Sequence, residues 1–231
     1  MINNNKLQIA RWSFWAGVTF IAILAALHLI KSHVDPAWNF ISEYQVGRMG
    51  WLMSVAFVSL ALSCILLSIV LWSLVHVVGK IGIVMLLISS AGMLIAAVFK
   101  TDPLNTDPNL VTTSGKLHQL GAMLDQIPFA AVLLTISLFR KSELSGRRWI
   151  LIFLLIFVWF GFVYFVASVQ INFPENGKFG PHVLVGWQNR LMIVTQVLWL
   201  IIVAKETTRI REKSGVNASL TTQQKRIKLT S

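Results

Sequence analysis

Residues 50–72 read GWLMSVAFVSLALSCILLSIVLW. The stretch holds no Asp, Glu, Lys, Arg or His. As a helix rising 1.5 Å per residue it would be about 34 Å long, enough to cross a bilayer core of roughly 30 Å. Working outward, five further runs have the same character, roughly 12–32, 80–99, 117–139, 149–171 and 182–204. Apolar residues make up 55% of the 231-residue chain and charged residues 13%, against about 25% charged in soluble domains. Lipid must solvate that much apolar surface. Solid apolar blocks exclude a membrane barrel, whose strands would alternate over about ten residues. Helices satisfy their own backbone groups where there is no water to do so. The predicted fold is therefore all-α, a polytopic bundle of six transmembrane helices over residues 12–204. A short tail, 1–11, precedes it. A polar, basic tail, 205–231, follows and is expected to be disordered. Lys6 and Arg11 precede the first run as in a signal peptide. That run stays apolar for about 20 residues, too long for a signal core, and reads as an uncleaved span.

Basic residues set the expected orientation. With the N-terminus inside, fourteen Lys and Arg residues fall on the inner side, in the N-terminal tail, at Lys80, between Arg140 and Arg148, and from Lys205 onward. Three acids, Glu143, Glu206 and Glu212, oppose them. The outer half carries Lys31, Arg48, Lys100, Lys116, Lys178 and Arg190 against Asp35, Glu43, Asp102, Asp107, Asp125 and Glu175. The formal net charge of +11 thus lies on one side, which accounts for the basic pI without a nucleic-acid partner. The expected topology is N-in and C-in, in the cell inner (plasma) membrane, with membrane lipids as partners. The only cysteine, Cys64, lies within the second span, so no internal disulfide forms.

Polar groups gather in the outer halves of the spans. The outer connections, roughly 33–49, 100–116 and 172–181, hold five of the six prolines. The sixth, Pro128, falls inside the fourth span and should kink it. His118 and Asp125 are seven residues apart and, with Ala122, are expected to form one helical stripe. Gly121 beside them would let another helix approach. If the fourth span starts near 117 and the sixth near 182, Asp125 and Arg190 each lie about 12 Å below the outer end. A charge at such depth costs roughly 2.5–3.5 kcal/mol, while each Leu or Ile returns about 0.3–0.6 kcal/mol. A buried Asp125–Arg190 pair is the expectation, with His118 above it and Gln188 and Asn189 nearby.

Three kinds of chemistry fit these groups. A polar pocket open to the outer leaflet suits a lipid head, with Arg48, Lys116 and Arg190 meeting phosphate and Asp102, Gln188 and Asn189 binding polar groups. Within such a pocket His118, Asp125 and Glu43 are the candidate catalytic residues. No cofactor is predicted. The alternative is a divalent metal held by His28, His118 and His182, although no HExxH-like spacing exists. The third reading is transport or a non-catalytic structural factor, since intramembrane charges mark ion routes in some transporters. Inner halves poor in polar groups and the lack of a visible inverted repeat count against transport.

Four segments carry a resemblance. Ile41-Ser42-Glu43-Tyr44-Gln45-Val46-Gly47-Arg48-Met49-Gly50-Trp51-Leu52-Met53 resembles the first motif of an uncharacterised prokaryotic membrane family, domain of unknown function 998. Phe99-Lys100-Thr101-Asp102-Pro103 and Thr113-Ser114-Gly115-Lys116-Leu117-His118 are similar to its second. Gly186-Trp187-Gln188-Asn189-Arg190 resembles its last. A more distant resemblance, through His118-Gln119-Leu120-Gly121-Ala122, is to the eukaryotic DRAM and Sfk group, six-span proteins that include a lipid-remodelling member. That group's Pro-x-Ile-Ser feature is imperfect here, because Pro36 lies five residues before Ile41. The likeness implies lipid-related work without implying a catalytic mechanism.

Overall fold

In the computed structural model the described backbone covers residues 4–174 and 177–230, with side chains described over 5–174 and 177–212. It is helical throughout, with no strand among the described residues. The helices are α1 (Asn4–Ile30), α2 (Trp51–Leu71), α3 (Val77–Val98), α4 (Thr113–Met123), α5 (Ile127–Leu138), α6 (Arg148–Ile171) and α7 (Gly186–Thr230). Six helical stretches, with α4 and α5 counted as one, are long and apolar enough to cross a membrane. The protein is a multi-pass membrane bundle.

The helices close into a ring. α1 packs on α2 and α7, α2 on α3, α3 on both α4 and α5, α5 on α6, and α6 on α7. Side chains such as Phe20, Leu60, Leu86, Leu134 and Trp199 fill the interior. Dispersion and small-residue contacts must hold such a bundle, because lipid is as apolar as leucine. The α3–α4 crossing shows how. A Cβ on Gly92 would meet the Gly121 carbonyl oxygen at 2.4 Å, and one on Gly121 would meet the Gly92 carbonyl oxygen at 2.6 Å. The two backbones touch because neither residue has a side chain. The outward faces are apolar and bare, most of all on α6, where Trp149, Phe153 and Phe160 are exposed.

α1 starts earlier than read from the sequence, at Asn4, and two further shifted boundaries bear on the site. The fourth span starts earlier, at Thr113, because Thr112 caps it by accepting from the Gly115 N–H at 3.0 Å. The same span breaks between Met123 and Ile127, just before Pro128, as proline chemistry predicts. The sixth span starts later. Residues 183–185 form tight turns, with Val183 N–H donating to Gly180 and Val185 N–H to Val183. The helix begins only at Gly186.

These shifts overturn two expectations. Asp125 lies beyond the end of α4, so His118, Ala122 and Asp125 do not form one stripe. Counting from the corrected starts at 1.5 Å per residue, Asp125 sits about 18 Å below the helix end and Arg190 only about 6 Å. They are not at one depth and form no ion pair among the described residues.

The tail beyond 205 does not leave the bundle at that point. α7 continues, and Glu206, Thr207 and Ile210 are buried. Glu206 accepts from Arg147 at 3.3 Å and from Arg209. Arg211 donates to the Val70 carbonyl at 3.0 Å and to Ser73 at 2.6 Å. Packing therefore extends to about residue 212. The side chains of Glu175 and of the basic residues from Lys213 onward lie outside the described residues.

Candidate functional site

The connections 31–50 and 99–112 and the described residues of the connection between α6 and α7 meet at one end of the bundle, the loop end. The start of α1, the continuation of α7 past Lys205 and the remaining turns lie at the opposite, tail end. The four segments that carry the family resemblance all converge on the loop end, and each holds another in place.

Arg190 is the hub. It is 5% exposed, and all three guanidinium nitrogens donate. Nε reaches His28 Nε2 at 2.9 Å, Nη1 reaches the carbonyls of Asn39 (2.6 Å), Gly186 (3.0 Å) and Pro36 (3.3 Å), and Nη2 reaches the Tyr44 hydroxyl at 3.3 Å. A buried charge needs such satisfaction. His28 Nδ1 lies 2.7 Å from the Leu24 carbonyl, which only accepts. The network therefore assigns the hydrogen to Nδ1 and leaves Nε2 free to accept from Arg190. Neighbouring Gly186 makes room for the loop. A Cβ there would meet the Pro36 carbonyl oxygen at 2.4 Å, and its N–H donates to Ala37 at 2.9 Å. Asn189 Oδ1 accepts from the Ile41 N–H at 3.0 Å. Gly186, Asn189 and Arg190 thus clamp the first connection onto α7.

Residues Ile41–Gln45 of that connection form a 3-10 turn, and its side chains bind the second connection. Gln45, fully buried, donates from Nε2 to Ser54 (2.8 Å) and to the carbonyls of Ala96 (2.9 Å) and Ala97 (3.3 Å), while its Oε1 accepts from the Thr101 N–H at 3.3 Å. Glu43 accepts from the Leu104 N–H and from Asn39 Nδ2. Burial pushes its carboxyl above the ordinary carboxylate range, against the opposing effects of the Leu104 N–H and the Arg190 charge. Lys31, 2% exposed, closes the turn by donating to the Tyr44 carbonyl at 2.8 Å and to that of Val46. Desolvation pulls its ammonium pKa down.

The second connection is fastened to α4 in turn. Asp102 accepts from the Thr112 N–H at 2.8 Å and from its hydroxyl at 3.0 Å. Its carboxylate sits where a Cβ on Gly115 would fall, 2.1 Å from Oδ2. His118, 3% exposed, engages the Phe99 carbonyl through Nδ1 at 2.9 Å, at the C-terminal end of α3, with its ring edge-on to Phe57.

The candidate residues therefore divide. Glu43, Asn189 and Arg190 are brought together, with Asp102 and His118 fixing the adjoining connection. Arg48 and Lys116 are exposed. Gln188 is half-buried and reaches only the Tyr164 hydroxyl at 3.5 Å. Asp125 lies deeper, in the α4–α5 break, accepting from the Ile127 N–H at 3.0 Å with Gln196 beside its carboxyl. No hydrogen bond joins any two of His118, Asp125 and Glu43. The alternative metal set is not assembled. Both His28 nitrogens are engaged, His118 faces a carbonyl and His182 is exposed on a loop. No group of three or more His, Cys, Asp and Glu among the described residues could hold a metal ion.

Beside Glu43 a cleft of about 200 Å³ opens at the loop end, lined by His33, Val34, Trp38, Asn39, Glu43, Val46, Pro103 and Asn105. Sequence reasoning reached Glu43 and passed over Trp38, Asn39 and Asn105 as site residues. It also passed over Lys31, Tyr44 and Gln45. Tyr44 and Gln45 stand inside the first resembling segment and were within reach. Lys31 gives no signal, since a lysine at a helix end normally reads as solvated.

No curated protein and no solved structure matches this chain. The profile of a family described as protein of unknown function (DUF998) matches residues 14–205, which takes in every segment of the interlock and bears out the nearer of the two resemblances. On that match the chain belongs to the DUF998 family.

Proposed function

We propose that the protein binds, and through that binding acts on, a lipid or lipid-linked molecule whose polar head enters the loop-end cleft. The observation that carries this reading is the cleft itself. It is a recess of mixed polar and apolar lining at the end of a lipid-solvated bundle, with the buried carboxylate of Glu43 in its wall. A head there would sit at headgroup depth while its chains lie along the bare outer faces. The lining holds no Lys or Arg, and Arg190 has every nitrogen committed. Contacts to a phosphate through Arg48, Lys116 or Arg190 lose support on that account. Glu43, Asn39, Asn105 and His33 instead favour a head rich in hydroxyl or amine groups, with Trp38 offering an apolar face. The cationic tail end supports placing the termini in the cytoplasm and the cleft on the outer side of the cell membrane.

Comparative lipidomics of cells with and without the chain tests the proposal. A lipid class should change in abundance on deletion and recover with the wild-type chain but not with Glu43→Gln. The broken fourth span, with Asp125 at its break, gives a second reading as a small-solute or ion transporter. An unchanged lipid profile, together with vesicle flux that Asp125→Asn abolishes, would replace the first reading with the second.

A further inference from the structure

A second groove lies at the tail end, far from the cleft. It measures about 160 Å³ and is lined by Arg11, Phe14, Trp15, Lys205 and Thr208, between α1 and α7. Its floor is aromatic, with the Phe14 and Trp15 rings meeting edge to face at 5.2 Å, and Trp15 is 60% exposed. The Thr208 hydroxyl is turned back to the Ala204 carbonyl at 3.0 Å. Arg11 and Lys205 stand at its edge and turn their apolar stems to the groove, which leaves their charged heads to reach outward. Arg11 has one ion pair, with Glu212 at 3.1 Å, in which both side chains are about half exposed and weakly coupled. Lys205 is exposed and makes no hydrogen bond or ion pair among the described residues.

The depth of the two cations is matched. Arg11 precedes the loop-end terminus of α1, Ile30, by the same number of residues as Lys205 follows that of α7, Gly186. At 1.5 Å per residue each is about 28 Å from the loop end, close to the roughly 30 Å of a hydrocarbon core. With the loop end of the helices at one face of the hydrocarbon, both charges reach the level of the phosphates at the other. Exposed Trp12, Trp72 and Trp149 are spread around the same end, as interfacial anchors are.

We propose that this groove is a binding site for one anionic phospholipid of the tail-side leaflet. The phosphate sits between Arg11 and Lys205, and an acyl chain runs down over Phe14 and Trp15. An apolar groove alone would take any lipid. Arg11 and Lys205, opposed only by Glu212, leave the edge net positive, and that charge selects a net negative lipid over a zwitterionic one. The site is independent of the loop-end cleft and stands or falls without it.

The test uses the full chain, purified in detergent, stripped of lipid and titrated with short-chain phosphatidylglycerol or phosphatidylcholine. Binding is read by native mass spectrometry and thermal stabilisation. Phosphatidylglycerol should bind the wild type more tightly than phosphatidylcholine. Lys205→Gln should weaken phosphatidylglycerol about fivefold, the worth of one basic residue near an anionic surface. Lys205→Arg should retain binding. Arg140→Gln, an exposed cation at the same end but outside the groove, should change nothing. Equal binding of the two lipids would overturn the proposal. So would an unaffected Lys205→Gln, or an Arg140→Gln as weak as Lys205→Gln, which would mean a diffuse field rather than a site. Equal stabilisation by inorganic phosphate alone would show a phosphate contact without lipid and would also overturn it.

Discussion

Arg190 is the residue whose role changed most between sequence and structure. Its charge and burial were legible, because a lone arginine in an apolar run demands partners. Its partners were not legible. They are backbone carbonyls and an imidazole from parts of the chain about 150 residues away, which no local pattern encodes. The lost pairing with Asp125 gives a sharp prediction. Arg190→Ala leaves two loop carbonyls and the Tyr44 hydroxyl without their donor and should lower stability by about 3 kcal/mol. Arg190→Lys keeps the charge but not the planar fork and should recover only part of that loss. Because Arg190 and Asp125 share no contact, Arg190→Ala and Asp125→Asn should be additive to within about 0.5 kcal/mol. Denaturant unfolding of the detergent-solubilised single and double variants measures this. A strong coupling would restore the abandoned pair.

At the scale of elements, the spans were legible because each is a solid apolar block, and Pro128 correctly marked a broken helix. Helix starts were not. The segment Thr113–Lys116 is polar and reads as loop, yet the Thr112 cap and the Asp102 carboxylate hold it as the first turn of α4. The run Val183–Val185 is apolar and reads as helix, yet it folds into turns. Opposite errors of about four residues at two helices produced the false match in depth. The small-residue reading of Gly121 was right in kind, and the structure supplies its partner, Gly92. Gly121→Leu cannot be accommodated, because its Cβ would meet backbone oxygen at 2.6 Å. It should cost at least about 2 kcal/mol, at the middle of the range for overpacking a tight contact. Gly146→Ala, with nothing within 4 Å, should stay within about 0.5 kcal/mol. Thermal unfolding of the two variants side by side checks the contrast, and a tolerated Gly121→Leu would mean that α3 and α4 do not touch there.

Over the whole molecule the chain divides into two ends of different character. The loop end is an interlock of connections in which, among the described residues, Arg190, Gln45, Glu43 and Asp102 are all partnered, with a cleft beside Glu43. Among the described residues the tail end gathers cations such as Arg11, Lys80, Arg140 and Lys205, some of them paired with Glu206 or Glu212. The expected charge asymmetry rests on counting along the sequence. The cleft was not legible there, because its walls come from two connections about 60 residues apart, brought together by Glu43 reaching the Leu104 N–H. The central claim is that this cleft receives the head of a lipid. Photo-crosslinking tests it most directly, with lipids carrying a diazirine close to a hydroxyl- or amine-bearing head and the labelled peptides mapped. The account predicts labelling concentrated in residues 33–46 and 103–105, and reduced by Glu43→Gln. Labelling confined to the bare faces of α6, with the loop-end peptides untouched and Glu43→Gln without effect, would contradict it.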